Sequence, residues 1–250
     1  MQACTRRGVW LTVVPDLLSD PTAELALGLA IGLARHIATA DRIVRALAGS
    51  RDGARGCTAP RSTEAASRSS GAGVSAAPSR ASWRGFDCAV LVCDPRPSEG
   101  LPENARYATP EEALVGADFV FLAVPLEATT AKMVNAAWLE RLKPGALLVN
   151  CARGSVVDEA AVARALEAGR LGGYAADVFA FEDWARPDRP AYVHPTLLAL
   201  PERTLFTAHL GSAVARARRE IERYAALAIV EALDGARPRG AVNVPAPAGA

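Results

Sequence analysis

Lysine is almost missing from this chain: Lys132 and Lys143 are the only two among 28 basic residues, so no lysine can serve a site built from the first 131 positions. Excess charge is missing too. The 28 basic and 27 acidic residues leave a formal +1 and form no long run, which argues against a nucleic-acid or membrane-surface partner and favours a small-molecule site. No stretch reaches the ~18 uninterrupted apolar residues of a membrane span, and Arg6 and Arg7 before a short apolar run make a poor signal peptide. The five cysteines (Cys4, Cys57, Cys88, Cys93 and Cys151) are odd in number and lack metal-ligand spacing, so no metal site and no disulfide framework is expected. That usage fits a reducing cytoplasm. What remains is a chain of 250 residues, half of them apolar, long enough for one large or two small domains with real cores.

Along the chain, residues 9–14 (VWLTVV) read as a short strand. Asp20 followed by Pro21 is a good helix start, predicting a long helix to about Leu47. Its first half, LALGLAIGLA, is apolar nearly all round, as in a helix buried between two partners (a neighbouring domain or a second subunit) or in an ordinary core helix. From Ser50 to Trp83 only Val74 and Trp83 are large and apolar; the segment reads as a disordered insert with no core strand. Order resumes with CAVLVC (Cys88 to Cys93). Next come FVFLAV (Phe119 to Val124), a helix around Asn135 to Leu142, ALLVN (Ala146 to Asn150) and a helix from Asp158 to Ala168. GYAADVF (Gly173 to Phe179), TLFT (Thr204 to Thr207) and a helix from Ser212 to Leu233 complete the pattern. Near-continuous apolar strands alternating with helices predict an α/β fold, a doubly wound parallel sheet of the Rossmann type covered on both faces.

Ligands of such sheets bind beyond the carboxyl ends of the strands. Three exits carry reactive groups: Arg153 after ALLVN, Glu182 after GYAADVF, and His209 after TLFT. Arginine can grip an oxyanion with two hydrogen bonds, histidine can move a proton near neutral pH, and a carboxylate on the other ring nitrogen fixes its tautomer. Taken singly, each is more often a surface or structural residue; together at successive strand exits they predict an anion clamp and an acid–base pair. Asp94, closing CAVLVC, suits the hydroxyls of an adenosine ribose and would repel the extra phosphate of NADP, so NAD is the expected cofactor. Gly71, Gly73 and Ala76 satisfy G-x-G-x-x-A, 23 residues before Asp94, although SRSS rather than an apolar strand precedes them and Pro78 would fall inside the following helix.

From Asp118 to about Arg237 the chain resembles the D-isomer-specific 2-hydroxyacid dehydrogenases, through the long run LLVNCARGSVVDEAAVARALEAGRLGGYAADVF. FEDWARPDRP, TLFTAHLGSAVARARREIER and RGVWLTVVPDLLSDPTAEL are most similar to the phosphonate (phosphite) dehydrogenase branch, which oxidises phosphite while reducing NAD. The resemblance implies His209 as the base, Glu182 orienting it, and Arg153 holding a small anionic substrate with Arg218 in support. It also implies Asp177, Thr22 and Cys151 at the cofactor, and a homodimer. Three functions stay open: phosphite oxidation, dehydrogenation of an organic 2-hydroxy acid, and an NAD-binding remnant that acts by interaction alone. The resemblance further implies a remnant of the family's substrate lobe at 1–20 and an NAD-binding domain at 21–211. A C-terminal helix and tail at 212–250 would return to the first. The lobe's active-site lysine has no counterpart, and Ala208 stands where the family has proline before the histidine. Residues 50–83 match the first cofactor-binding strand, loop and helix in length but not in content, the pattern of a local reading-frame error; the other two frames should then encode an apolar strand and a glycine loop.

Overall fold

The computed structural model describes residues 1–14, 17–47, 73–74, 88–95, 101 and 103–246. They fall into two compact units, Thr22–Leu210 and a second made of Met1–Pro21 with Gly211–Ala250.

The larger unit is built on seven parallel strands: β1 (Gly73–Val74), β2 (Val90–Val92), β3 (Ala105–Tyr107), β4 (Phe119–Leu122), β5 (Leu147–Asn150), β6 (Gly173–Ala176) and β7 (Thr204–Phe206). Their order is β3-β2-β1-β4-β5-β6-β7, which places the reversal of strand order between β1 and β4. β1 corrects one expectation: a strand does form inside 50–83, where Gly73 and Val74 pair with Val90 and Leu91 on one side and Phe119 and Val120 on the other. The same pairing removes Gly73 from the cofactor loop. The loop of a G-x-G-x-x-A motif must follow its strand, and Gly73 lies within it; Gly71 and Ala76 are outside the described residues.

Alternation along the strands sorts the core into two layers. Val120, Leu122, Leu148, Tyr174 and Ala176 face one cluster, together with Val162 and Leu166 of α6 (Glu159–Glu167). Phe121, Val149 and Ala175 face the other, against Ala26, Leu29, Ala30 and Leu33 of α2 (Ser19–Ala34). Burying each of these leucines stabilises the fold by about 2 kcal/mol. The predicted single helix to Leu47 is two helices: α2 ends at Ala34, His36 takes a left-handed φ of +52°, and α3 (Ile37–Leu47) leaves at 61°. Among the described residues no single helix is long and apolar enough to cross a membrane.

Capping sets the shorter helices. Thr109 and Glu112 form a reciprocal box at α4 (Pro110–Gly116), Asn135 caps α5 (Ala136–Leu139), and Asp158 accepts from Ala160 and Ala161 at the start of α6. In the smaller unit, α1 (Gln2–Arg6) and α8 (Ala215–Leu233) flank an association of the two chain ends. The predicted strand at 9–14 is reduced to an isolated antiparallel bridge, Thr12 with Ala241, because the partner segment supplies few ladder bonds. Asn243, only 8% exposed, does the joining: its oxygen accepts from the Leu11 amide at 2.7 Å, and its nitrogen donates to the Thr5 hydroxyl and the Val9 carbonyl.

Candidate active site

β5, β6 and β7 are adjacent, so the segments that follow them emerge side by side at the carboxyl edge of the sheet. After β5 the chain turns through Cys151 and Ala152 to Arg153, then a 3-10 turn, Gly154–Val156. Asn150, completely buried, shapes this exit by accepting from the Ala152 amide at 3.0 Å and donating to the Arg153 carbonyl at 3.1 Å. The exposed Arg153 guanidinium bonds the Ala152 carbonyl at 2.6 Å and forms no ion pair with a described carboxylate.

After β6, Asp177 is 2% exposed, and a second 3-10 turn, Ala180–Glu182, ends on the acid. Glu182 uses both oxygens: Oε1 accepts from the Phe179 amide at 3.1 Å, and Oε2 lies 2.7 Å from Nδ1 of His209. His209, 54% exposed in its side chain, therefore keeps Nε2 for another partner. Its backbone has φ +54°. Asp177 fixes that conformation: its carbonyl accepts from the His209 amide at 2.8 Å, and its Oδ1 accepts from the Thr207 hydroxyl at 2.6 Å and the Leu210 amide at 2.7 Å. A buried carboxylate thus holds the segment around Ala208 and His209.

The two turns touch. A Cβ on Gly154 would lie 1.8 Å from the Phe179 carbonyl carbon and 2.1 Å from the Ala180 nitrogen, so only glycine permits the approach. Glu159, 9% exposed, binds the same region from α6, accepting from the Ala180 amide at 3.0 Å and the His194 amide at 2.9 Å. Nothing in the sequence reading marked Glu159, Asn150 or Thr207; the apolar runs on either side hide their buried side chains.

Toward the strand-order reversal, Thr22 in the first turn of α2 and Cys151 line a small pocket with Ala26, Phe121, Leu122, Ala123 and Val149. Burial, and then the nearby Asp177 charge, push the Cys151 thiol up to about 12. Asp94 stands part-buried just beyond β2. Arg218 is exposed on α8, in the smaller unit. The structure thus brings Glu182 and His209 into contact and sets Arg153 on the neighbouring exit.

Residues 27–211 match the family described as D-isomer specific 2-hydroxyacid dehydrogenase, NAD binding domain. The chain belongs to the D-isomer specific 2-hydroxyacid dehydrogenases. It is 33% identical over 252 residues to a glyoxylate reductase of Pyrococcus furiosus, covering 97% of this chain and 71% of that protein. A chloroplastic D-3-phosphoglycerate dehydrogenase of Arabidopsis thaliana is 32% identical over 247 residues, but the match covers only 40% of that protein. Among solved structures, an NADPH-dependent glyoxylate/hydroxypyruvate reductase of Sinorhizobium meliloti bound to citrate superposes with a TM-score of 0.81 at 26% identity, covering 96% of this chain and 73% of that one. As a 2-hydroxyacid dehydrogenase, the chain is an NAD-dependent oxidoreductase by family.

Proposed function

We propose that this dehydrogenase interconverts a small organic 2-oxo acid and its 2-hydroxy acid, with glyoxylate or a close analogue as substrate. The observation that carries the reading is the 2.7 Å pair of Glu182 and His209, with the exposed Arg153 on the neighbouring strand exit. The names of the relatives favour an organic acid over phosphite.

The described residues fit a nicotinamide dinucleotide: Asp94 closes β2 where a ribose diol would lie, and the pocket at Thr22, Ala123 and Cys151 offers an apolar wall at the reversal of strand order. When bound, that cofactor supplies or accepts the hydride at its nicotinamide ring. The chain's own residues do the rest. Arg153 grips the substrate carboxylate with its planar fork. Glu182 anchors Nδ1 of His209, which aims Nε2–H at the 2-oxo oxygen and delivers the proton as the carbonyl carbon is reduced; in the reverse direction Nε2 takes it back. Because only His209 exchanges this proton, the anion grip and the acid–base step can be read separately. A homodimer belongs to the same reading, supported by the exposed apolar Ile31 on α2 and Ile37 and Val44 on α3.

Oxidation of NADH by the purified chain, with glyoxylate, hydroxypyruvate and phosphate-free controls, tests the reading; phosphite with NAD is the competing assay. Turnover with a 2-oxo acid that collapses in Arg153→Ala through a raised KM is the expected result. Turnover with phosphite alone would overturn it.

A further inference from the structure

We propose that Asp183 is a positioning residue that sets the spacing between the anion grip of Arg153 and the Glu182–His209 pair; this rests on the functional reading above. Asp183 directly follows Glu182 and closes the Ala180–Glu182 turn, its amide donating to the Ala180 carbonyl and its carbonyl accepting from the Arg186 amide at 2.8 Å. Its side chain leaves that turn and crosses to the other: Oδ2 accepts from the Ser155 amide at 2.7 Å. Ser155 lies two residues beyond Arg153 and is 4% exposed, and its carbonyl accepts from the Lys132 amide at 2.8 Å. Ser155 is therefore held through both its amide and its carbonyl.

The contact at Gly154 brings the two turns together but does not fix how far one slides along the other, because close packing of backbone on backbone has no directional bond. The charge-assisted bond from Ser155 to Asp183 supplies the direction. Asp183 touches neither substrate nor proton. Glu182 keeps its own anchors, the Phe179 amide and His209, whether or not Asp183 is present. Loss of the Asp183 carboxylate should consequently move Arg153 relative to His209 and weaken the hold on the substrate anion, while the acid–base pair itself stays assembled.

The test compares Asp183→Ala, Asp183→Glu and Asp183→Asn in the full chain by glyoxylate kinetics with NADH. In Asp183→Ala, KM should rise by about tenfold with kcat within about twofold of wild type, since a misplaced grip costs binding before chemistry. Asp183→Asn keeps a carbonyl oxygen for the Ser155 amide and should restore KM. Asp183→Glu keeps the charge but moves the oxygens by one methylene, so it should raise KM and gives the same discrimination if the alanine variant does not fold. Affinity for oxalate, measured by calorimetry on the NADH-loaded chain, reads the grip without turnover. It should fall in Asp183→Ala and Asp183→Glu and not in Asp183→Asn, so inactive wild-type protein would sink the glyoxylate reading without deciding the role of Asp183. Unchanged oxalate affinity in both the alanine and glutamate variants, or a loss confined to kcat, overturns the proposal.

Discussion

At His209 a non-glycine residue sits at φ +54°, a conformation that costs an L-residue about 1 kcal/mol. Asp177 offsets it with its carbonyl on the His209 amide and its carboxylate on Thr207 and Leu210. A ring held this way works as a unit with Glu182. In glyoxylate reduction, Glu182→Gln and His209→Gln are each expected to lower kcat by about 100-fold or more. The double variant should lose little beyond either single one, because one missing partner already disables the pair; losses that multiply would show two independent roles. Cys151 gives a second prediction. With its thiol pushed up to about 12 against an ordinary 9.0, it should remain unalkylated by iodoacetamide at pH 9 in the folded chain, as peptide mass spectrometry can report. The sign for stability follows: the folded value lies above the unfolded one, so the buried thiol's contribution is intact below about pH 9 and is lost as pH rises toward 12. Cys151→Ala should reduce alkaline unfolding in that window.

Among elements, those buried on both faces were the most legible in the sequence. β4, β5 and β6 are continuous apolar runs because helices cover both sides of the sheet, and their cores appear almost where the runs do. β3 was missed: ARY at the sheet edge is only partly buried and carries no apolar run. β1 was missed because two residues form it, held by neighbours on both sides rather than by their own propensity. The break at His36 gave no proline or glycine signal, since a left-handed histidine ends α2. For the site, the three strand exits were readable as positions, but the contact between Glu182 and His209 depends on β6 lying beside β7, a tertiary fact. Of the glycine pattern only Gly73 lies among the described residues, and it sits within β1, a position that composition rich in glycine and alanine does not reveal. One element-level prediction follows from the touching turns. Gly154→Ala should destabilise the chain by more than about 3 kcal/mol in urea unfolding, because the added carbon meets backbone at 1.8 Å and backbone cannot rotate away. A loss below about 1 kcal/mol would mean that the turns separate freely.

For the whole molecule, the two ends of the chain meet in one compact unit, while Thr22–Leu210 forms the other. Within the end-to-end unit the buried amide of Asn243 satisfies groups on Thr5, Val9 and Leu11 at once. Replacing it by alanine strands those partners at about 1 to 3 kcal/mol for each group left buried. Asn243→Ala should therefore expose residues 1–14 to limited proteolysis while the sheet-bearing unit keeps its protection, with cleavage sites read by mass spectrometry. Cleavage first inside the sheet would contradict this division. Tyr174 carries a consequence of another kind. It is buried on β6, where loss of solvation pushes its phenol up despite a hydrogen bond with Asn150, whereas Tyr107, Tyr192 and Tyr224 reach solvent. In an alkaline titration the Tyr174 phenolate should form only as the sheet opens, so the β6 tyrosine gives the fold an optical signal of its own integrity.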